Sequence, residues 1–158
     1  MTSIHNIRMM QRQDIPACRR LASIGFGSLF GELAHVDFNE MFGSAAWRPT
    51  FYVCEIANKI VGMGAYNIAW LGYGIYSLTW LAVHPEHRRK GIATALIERR
   101  LADLRPLARL ILTETPREEV AVLYERLGFR RVLMIPGEQS FAADAEVLLA
   151  WTARTEGE

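Results

Sequence analysis

The sequence predicts an α/β protein in which a mixed sheet carries helices on both faces. Strand and helix patterns alternate along most of the chain, and the chain then finishes as a strand pair. Its 158 residues suffice for one hydrophobic core but are few for two, so we expect a single domain over residues 1–158. Hydrophobic residues make up 51% of the chain and charged residues 22%, which is typical of a soluble globular protein.

The first third of the chain combines one strand with helical patterns. Residues 5–9 alternate moderately and predict the first strand. Asp14 is a suitable N-cap for a helix through about Ile24. Residues 28–47 mix apolar and acidic side chains, and they predict either a second helix or two short ones.

The middle of the chain predicts strands. Residues 51–56 and 59–67 form a hairpin around Ala57-Asn58. Residues 60–83 contain no charged side chain, so a membrane-spanning helix is an alternative. Four interrupting glycines and a content of aromatic and β-branched residues favour two strands joined at residues 71–74.

The remaining elements have clearer boundaries. An uncharged strand at residues 77–83 precedes a helical pattern at residues 93–104, and residues 109–114 form a further strand. For the next helix, Thr115 is the expected N-cap, Pro116 the first helical residue and Glu118 the partner in a capping box. Gly128 ends this helix, and residues 130–135 and 145–151 are the last two strands.

A basic, glycine-containing turn lies between the strand at 77–83 and the following helix. Its sequence is Arg88-Arg89-Lys90-Gly91-Ile92-Ala93. The first turn of a helix presents unpaired backbone N–H groups and the positive end of the helix dipole, which together favour a phosphate. The spacing is neither that of a Walker loop nor that of the Gly-x-Gly-x-x-Gly dinucleotide motif. The turn therefore predicts a different kind of phosphate site.

Three segments resemble the GNAT superfamily of N-acetyltransferases. The turn matches that family's Arg/Gln-x-x-Gly-x-Gly/Ala motif, and Leu81-Ala82-Val83-His84-Pro85 is similar to its fourth strand. Leu123-Tyr124-Glu125-Arg126-Leu127-Gly128-Phe129 resembles the signature of its final helix. The resemblance implies a mostly antiparallel sheet of six or seven strands with about four helices. It also implies transfer of an acetyl group from acetyl-CoA to a primary amine of a small molecule or protein, within a ternary complex.

The resemblance also implies where acetyl-CoA binds. Backbone N–H groups across residues 88–94 would hold the pyrophosphate, and the backbone of the fourth strand would pair with the pantetheine arm. The candidate cofactor-binding residues are Leu81, Ala82, Val83, Arg88, Arg89, Lys90, Gly91, Ile92, Ala93, Thr94 and Tyr124.

Two candidate catalytic residues follow. By resemblance Tyr124 is the general acid that protonates the departing thiolate, although its place on an apolar helix stripe also suits a core aromatic. The family's glutamate positions on the fourth and fifth strands are unfilled, the latter being Leu112 here. Glu114 lies two residues further on the same strand face and is the candidate general base.

Other residues are alternatives for the general base and for binding the acceptor. Glu32, His35 and Asp37 are rivals for the base, since the family binds its acceptor with that region. Arg117 replaces an asparagine often found near the cofactor in the family. A non-catalytic acyl-CoA-binding sensor or interaction module of the same fold is the alternative function.

Composition limits the partners. The net charge of +1 gives no reason to expect nucleic-acid or membrane binding, and the adjacent Arg99 and Arg100 suit a solvated helix face. Cys18 and Cys54 do not have the spacing of a zinc site, so no metal is expected. Residues 1–5 show no signal-peptide pattern, which predicts a cytoplasmic protein, and a homodimer is a possible assembly.

Overall fold

A computed structural model describes residues 5–139 and 144–154. Residues 1–4, which enter the signal-peptide prediction, lie outside this part of the chain. The strands in the described part are β1 (Asn6–Met9), β2 (Thr50–Ile56), β3 (Lys59–Ile68), β4 (Ile75–Val83), β5 (Leu110–Thr115), β6 (Arg130–Ile135) and β7 (Glu146–Thr152). The α-helices are α1 (Ile15–Phe26), α2 (Ser28–Met41), α3 (Ile92–Leu104) and α4 (Glu118–Arg126).

The strands form a sheet in the order β1-β2-β3-β4-β5-β7-β6. The pairs β1–β2, β2–β3, β5–β7 and β6–β7 are antiparallel, whereas β4 and β5 are parallel. This mixed, mostly antiparallel sheet with four helices confirms the predicted fold class. The region at 28–47 resolves as one helix rather than two.

The chain divides into two compact units. The first contains the residues up to Asn67 together with Thr79–Leu101, and the second contains Ile68–Leu78 together with the residues from Ala102 onwards. The expectation of a single domain stays a prediction.

Within the first unit, β2 has two buried faces. Phe51 and Val53 join the apolar cluster that α1 and α2 cover, whereas Tyr52 and Cys54 join a second cluster with Ile92 of α3. Since successive side chains of a strand point to opposite faces, α1 and α2 cover one face and α3 the other. In this unit the predicted placement of helices on both faces is confirmed.

The β2–β3 hairpin has the predicted turn. Ile56 and Lys59 pair directly, and the two residues between them have positive φ angles, 48° at Ala57 and 60° at Asn58. This is the two-residue turn whose backbone twist matches the strands that it joins.

Of the two predicted helix caps, Asp14 holds its predicted position and Thr115 does not. Asp14 is the N-cap residue of α1, but its side chain makes no capping hydrogen bond; its carboxylate accepts from the Gln11 N–H at 2.8 Å and from Arg8. Burial alone would raise the pKa of Asp14, but these hydrogen bonds and the charge of Arg8 lower it overall. Helix α4 begins at Glu118 instead of Pro116, because Thr115 remains in β5 and its Oγ1 accepts from the Arg117 N–H at 3.1 Å.

The uncharged segment at residues 60–83 lies in β3 and β4 and their connection, as the strand interpretation predicts. In the described part of the chain, none of the helices has the length and apolar character needed to span a bilayer.

Candidate active site

The turn for which a phosphate site is predicted connects β4 to α3. Strand β4 ends at Val83, a single 3₁₀ turn covers Pro85–His87, and α3 begins at Ile92. Positive φ angles of 59° at Arg89 and 80° at Gly91 reverse the chain before the helix. Gly91 adopts this conformation without steric cost, which explains the glycine at this point.

Several backbone N–H groups of this turn have no hydrogen-bond acceptor among the described residues. The Ala95 N–H donates to the Gly91 carbonyl at 3.0 Å and is the first N–H to bond within the helix. For the N–H groups of residues 89–94, the described residues supply no acceptor. A 13-residue helix thus directs its unpaired N-terminal donors and its positive dipole end towards one exposed turn.

The cationic side chains of the turn differ in their contacts. Arg88 donates through Nε to the Val83 carbonyl at 3.1 Å, and Lys90 donates through Nζ to the Glu86 carbonyl at 3.2 Å. The Lys90 carbonyl lies 2.6 Å from Nε2 of His5. Arg89 is exposed and makes no such contact within the described residues. Two of the three predicted cations therefore also brace the turn.

Gly62 of β3 allows α3 to approach the sheet at this point. A Cβ atom added at Gly62 would lie 2.9 Å from Cγ2 of Ile92 and 3.1 Å from Cδ1 of Leu96. Real Cβ atoms essentially never lie within 3.0 Å of another atom, so the contact with Ile92 would force a shift. The glycine therefore fixes how closely the first turn of α3 packs on the strand, a contribution that the sequence analysis missed.

The second half of β4 contains the other predicted cofactor contacts. Its regular parallel pairing with β5 ends at Ser77, opposite Leu112. Leu81 and Val83 pack against the cluster that holds Ile92, whereas Ala82 is buried in the cluster under α1 and α2. Trp80 has a φ of 55°, an uncommon value for a non-glycine residue, so the backbone of β4 is locally irregular just before Leu81.

Arg100 is buried beside this irregularity, and its prediction as a solvated residue is wrong. Its side chain is 0% exposed and donates to the carbonyls of Leu96 (3.1 Å), Ala65 (2.9 Å) and Thr79 (3.3 Å). Arg99 follows the expectation, because it is exposed and its guanidinium lies 4.6 Å from the centre of the Tyr52 ring. A signal for Arg100 existed: it lies four residues from both Leu96 and Leu104 on the apolar stripe of α3.

The rival residues on α2 have structural partners. Glu32 pairs with Arg19 at 2.5 Å, and Asp37 accepts from the Trp80 indole N–H at 2.7 Å. His35 lies 3.1 Å from Asn39 through Nε2, and its buried Nδ1 has no hydrogen-bond partner in the described part of the chain. Asp37 therefore connects α2 to the irregular point of β4.

Tyr124 lies on α4 and is 2% exposed. Its ring packs edge-on against Phe129 with centroids 5.2 Å apart, and its carbonyl accepts from the N–H groups of Leu127 and Phe129. The backbone contacts end the helix before Gly128, whose φ is 98°. The residue thus has the surroundings of a core aromatic, and its role as an acid stays a prediction.

Glu114 shares a sheet face with Leu112, as predicted. The burial of β5 alternates: Ile111, Thr113 and Thr115 are buried, whereas Leu112 is half-buried and Glu114 is exposed. Glu114 is exposed and forms no hydrogen bond or ion pair within the described residues. Partial desolvation first, and then the charge of Glu146, raise its pKa above the ordinary value.

Glu146 is a residue that sequence reasoning missed. It is the first residue of β7, is only 8% exposed, and lies two positions from Leu148, the partner of Glu114 in the strand register. Residues at such positions share a face and lie within reach of each other. Nothing in the local sequence connects the two carboxyl groups, because they are 32 residues apart.

The remaining sites show ordinary surface or core chemistry. Arg117 pairs with Glu119 through Nε (2.8 Å) and Nη2 (2.5 Å). Cys18 and Cys54 are buried thiols, and burial raises the pKa of Cys18 to about 12. The described residues include no cluster of three or more His, Cys, Asp or Glu that could hold a metal ion.

Comparisons with solved structures agree with this architecture. The first is a GNAT-family protein from Desulfovibrio desulfuricans, with 22% identity and a TM-score of 0.78. The match covers 94% of this chain and 98% of that chain. The second is the ribosomal-protein-S18-alanine N-acetyltransferase of Escherichia coli, with 16% identity and a TM-score of 0.75. The match covers 98% of this chain and 97% of that chain. The third is an aminoglycoside 6′-N-acetyltransferase complexed with coenzyme A, with 16% identity and a TM-score of 0.76. The match covers 97% of this chain and 99% of that chain. At these identities the likeness shows the fold.

Among curated proteins, none matches this chain. The sequence model of the family described as "Acetyltransferase (GNAT) domain" matches residues 47–131, which is more than half of the chain and includes β4, the basic turn and Tyr124. The resemblance to the GNAT superfamily is thereby confirmed. The chain belongs to the GNAT family and is an N-acetyltransferase.

Proposed function

We propose that this protein transfers the acetyl group of acetyl-CoA directly to a primary amine within a ternary complex. The observation that carries the proposal is the turn at the start of α3, exposed at residues 89–91, in which the backbone donors of residues 89–94 have no acceptor within the described residues. A diphosphate supplies acceptors and negative charge together, and both are favoured at a helix N-terminus.

The second half of β4 is proposed to bind the pantetheine arm. Its pairing with β5 stops at Ser77, so Leu81 and Val83 have backbone groups that an extended amide chain can bond as an added strand. The Val83 carbonyl accepts a hydrogen bond from Arg88 Nε in this structure. When acetyl-CoA binds, the Arg88 side chain would leave this carbonyl to the pantetheine arm and would bind a phosphate instead. A backbone N–H near Leu81 then polarises the thioester carbonyl.

The reaction proposed is a single displacement. The amine nitrogen attacks the thioester carbon, the carbon–sulfur bond breaks, and the sulfur leaves as the thiolate of coenzyme A. Tyr124 donates a proton to this thiolate, which a phenol can do because it is protonated at neutral pH. Glu114 accepts the proton that the amine loses, directly or through water.

The raised pKa of Glu114 supports its part in this scheme. An aliphatic amine has a pKa near 10, and an ordinary glutamate is a weak base towards it. Desolvation and Glu146 make the Glu114 carboxylate more basic, in the direction that proton acceptance requires. Glu32 and Asp37 each already have a hydrogen-bond partner, which makes them weaker candidates.

The cofactor site is tested by Gly91→Asp with isothermal titration of acetyl-CoA. The aspartate adds a side chain at a φ of 80° and places a negative charge where the diphosphate binds, so we expect affinity to fall by about a hundredfold. Gly27→Asp is the matched control, since Gly27 has a φ of 99° with open space around its Cβ position. Unchanged affinity in Gly91→Asp would remove this turn from the cofactor site.

The acceptor is tested by a panel of amines with detection of free thiol. Two of the similar structures are named for a ribosomal-protein alanine and for aminoglycosides, so the panel should contain peptide N-termini, lysine peptides and aminoglycosides. Acetyl-CoA binding without turnover across the panel would favour the non-catalytic sensor.

A further inference from the structure

Trp80 has a backbone conformation that its strand does not require. Its φ of 55° lies in the left-handed region, which residues with large side chains rarely adopt. The other described non-glycine residues with positive φ lie in turns, namely Ala57, Asn58 and Arg89. A strained conformation of this kind persists only where the surrounding structure holds it in place. The contacts around Trp80 are therefore informative.

Two helices hold the Trp80 side chain. Its indole Nε1–H donates to Oδ2 of Asp37 on α2 at 2.7 Å. Its ring meets the ring of Phe26 on α1 edge-on, with centroids 5.6 Å apart, and packs against the apolar cluster that the two helices cover. The indole has a single N–H donor, so its bond to a carboxylate fixes the orientation of the ring as well as its position.

The residue before Trp80 is held by the helix on the opposite face of the sheet. Arg100 of α3 donates to the Thr79 carbonyl at 3.3 Å and to the Ala65 carbonyl at 2.9 Å. The backbone of β4 at residues 79–80 is thus fixed from both faces, by Asp37 on one side and by Arg100 on the other.

The chemistry proposed for the next residue gives this arrangement a purpose. In the proposed function a backbone N–H near Leu81 polarises the thioester carbonyl, and the present inference rests on that function. A peptide N–H has no rotation of its own, because the backbone angles on either side of the planar peptide set its direction. A donor of this kind is effective when its direction is fixed before the reaction begins.

We propose that Asp37 is a positioning residue, which holds the Trp80 indole and thereby maintains the left-handed backbone that directs the N–H near Leu81 at the thioester carbonyl. In this role Asp37 acts through Trp80 and does not touch the substrate. The role requires a hydrogen-bond acceptor at position 37 but no negative charge. A general base at this position would require the charge.

Two substitutions of Asp37 separate the hydrogen bond from the charge. Asp37→Asn keeps an oxygen that accepts from the indole, whereas Asp37→Leu keeps a branched side chain without an acceptor. With the acceptor found in the amine panel, we expect kcat to fall about ten- to a hundredfold in Asp37→Leu, with acetyl-CoA affinity within about threefold of wild type. Asp37→Asn should recover most of the turnover. An Asp37→Asn variant as slow as Asp37→Leu overturns the proposal.

Trp80→Phe removes the donor of the same hydrogen bond and keeps a ring that can pack on Phe26. Its kcat should fall to a similar degree, and adding Asp37→Leu to it should cost little more, because the bond is already absent. Glu40→Leu is the matched control, since Glu40 is an exposed residue of α2 without a hydrogen bond or ion pair within the described residues. Losses that add in the double variant overturn the coupling through Trp80.

The carbonyl of bound acetyl-CoA provides a measurement that needs no acceptor. With an NMR-active carbon isotope at the acetyl carbonyl, polarisation by a backbone N–H moves the resonance downfield on binding. We expect this shift in the wild type and in Asp37→Asn, and its loss in Asp37→Leu. A shift that persists in Asp37→Leu overturns the role of Asp37 and leaves the proposed function standing. A wild type that does not bind acetyl-CoA, or binds it without the shift, contradicts the proposed function and this inference with it.

Discussion

The turn between β4 and α3 and the end of β5 enter the proposed function in different ways. The turn offers backbone N–H groups, and its side chains mainly brace the loop. The end of β5 offers a side chain, Glu114, whose pKa is raised by desolvation first and then by the charge of Glu146 from another strand. Backbone function depends on local conformation, whereas side-chain acidity depends on neighbours brought by the fold. Four variants test this difference.

Arg100→Ala should have the largest effect, a loss of stability in the strands and helix that hold the turn. The substitution leaves the buried carbonyls of Ala65 and Thr79 without this donor and opens a cavity under β3 and β4. We expect the free energy of unfolding to fall by about 3 kcal/mol, measured by urea denaturation. Arg99→Ala is the control, and its exposed side chain should cost less than about 1 kcal/mol. Equal losses for the two variants would contradict the buried role of Arg100.

Tyr124→Phe tests whether the Tyr124 side chain donates the proton to the departing thiolate. The ring and its packing on Phe129 remain while the phenolic proton is lost, so turnover should fall about a hundredfold with acetyl-CoA affinity nearly unchanged. Steady-state kinetics with the acceptor found in the amine panel gives the measurement. Tyr73→Phe, at an exposed loop position, is the control. Wild-type turnover in Tyr124→Phe would leave the tyrosine as a core residue only.

Glu114→Gln tests the proposed base. Turnover should fall about tenfold or more at neutral pH, because glutamine cannot accept the amine proton. At higher pH the loss should shrink, since a growing fraction of the amine is already deprotonated. Rates of the variant and the wild type from pH 6 to about 9 provide the measurement. A loss that is constant over this range would assign Glu114 to acceptor binding instead.

Glu146→Gln should produce the smallest effect, a shift of the pH profile. Its charge is the second cause of the raised pKa of Glu114, after desolvation. Removing it should lower the pKa of Glu114, so that the acidic limb of the profile of kcat/KM moves to lower pH by less than about one unit. A limb that stays in place would show that desolvation alone sets the basicity of Glu114.

The sequence predicts the turn well because its signals are local. Pro85, the three cations and Gly91 lie within seven residues, and the helix that follows has a regular apolar stripe. The strand and helix order follows from the same kind of periodic signal. The capping contacts were less predictable. Asp14 holds the N-cap position of α1, but its side chain bonds Arg8 instead of the helix, and strand pairing keeps Thr115 in β5.

The sequence could not show the pair Glu114–Glu146 or the burial of Arg100. The first depends on the register between β5 and β7, which the chain fixes only through tertiary packing. The second depends on carbonyl groups of β3 and β4 that meet the guanidinium. In a linear sequence Arg99 and Arg100 look alike, yet one faces solvent and the other the interior.

The contact between Gly64 and Arg100 has a consequence for how this protein can diverge. A Cβ atom at position 64 would lie 3.0 Å from Cζ and Nε of Arg100, so even alanine there presses on the guanidinium. A smaller residue at position 100 would instead leave Gly64 facing a void. Descendants of this sequence should therefore keep both residues or exchange both, and the two positions should vary together among relatives.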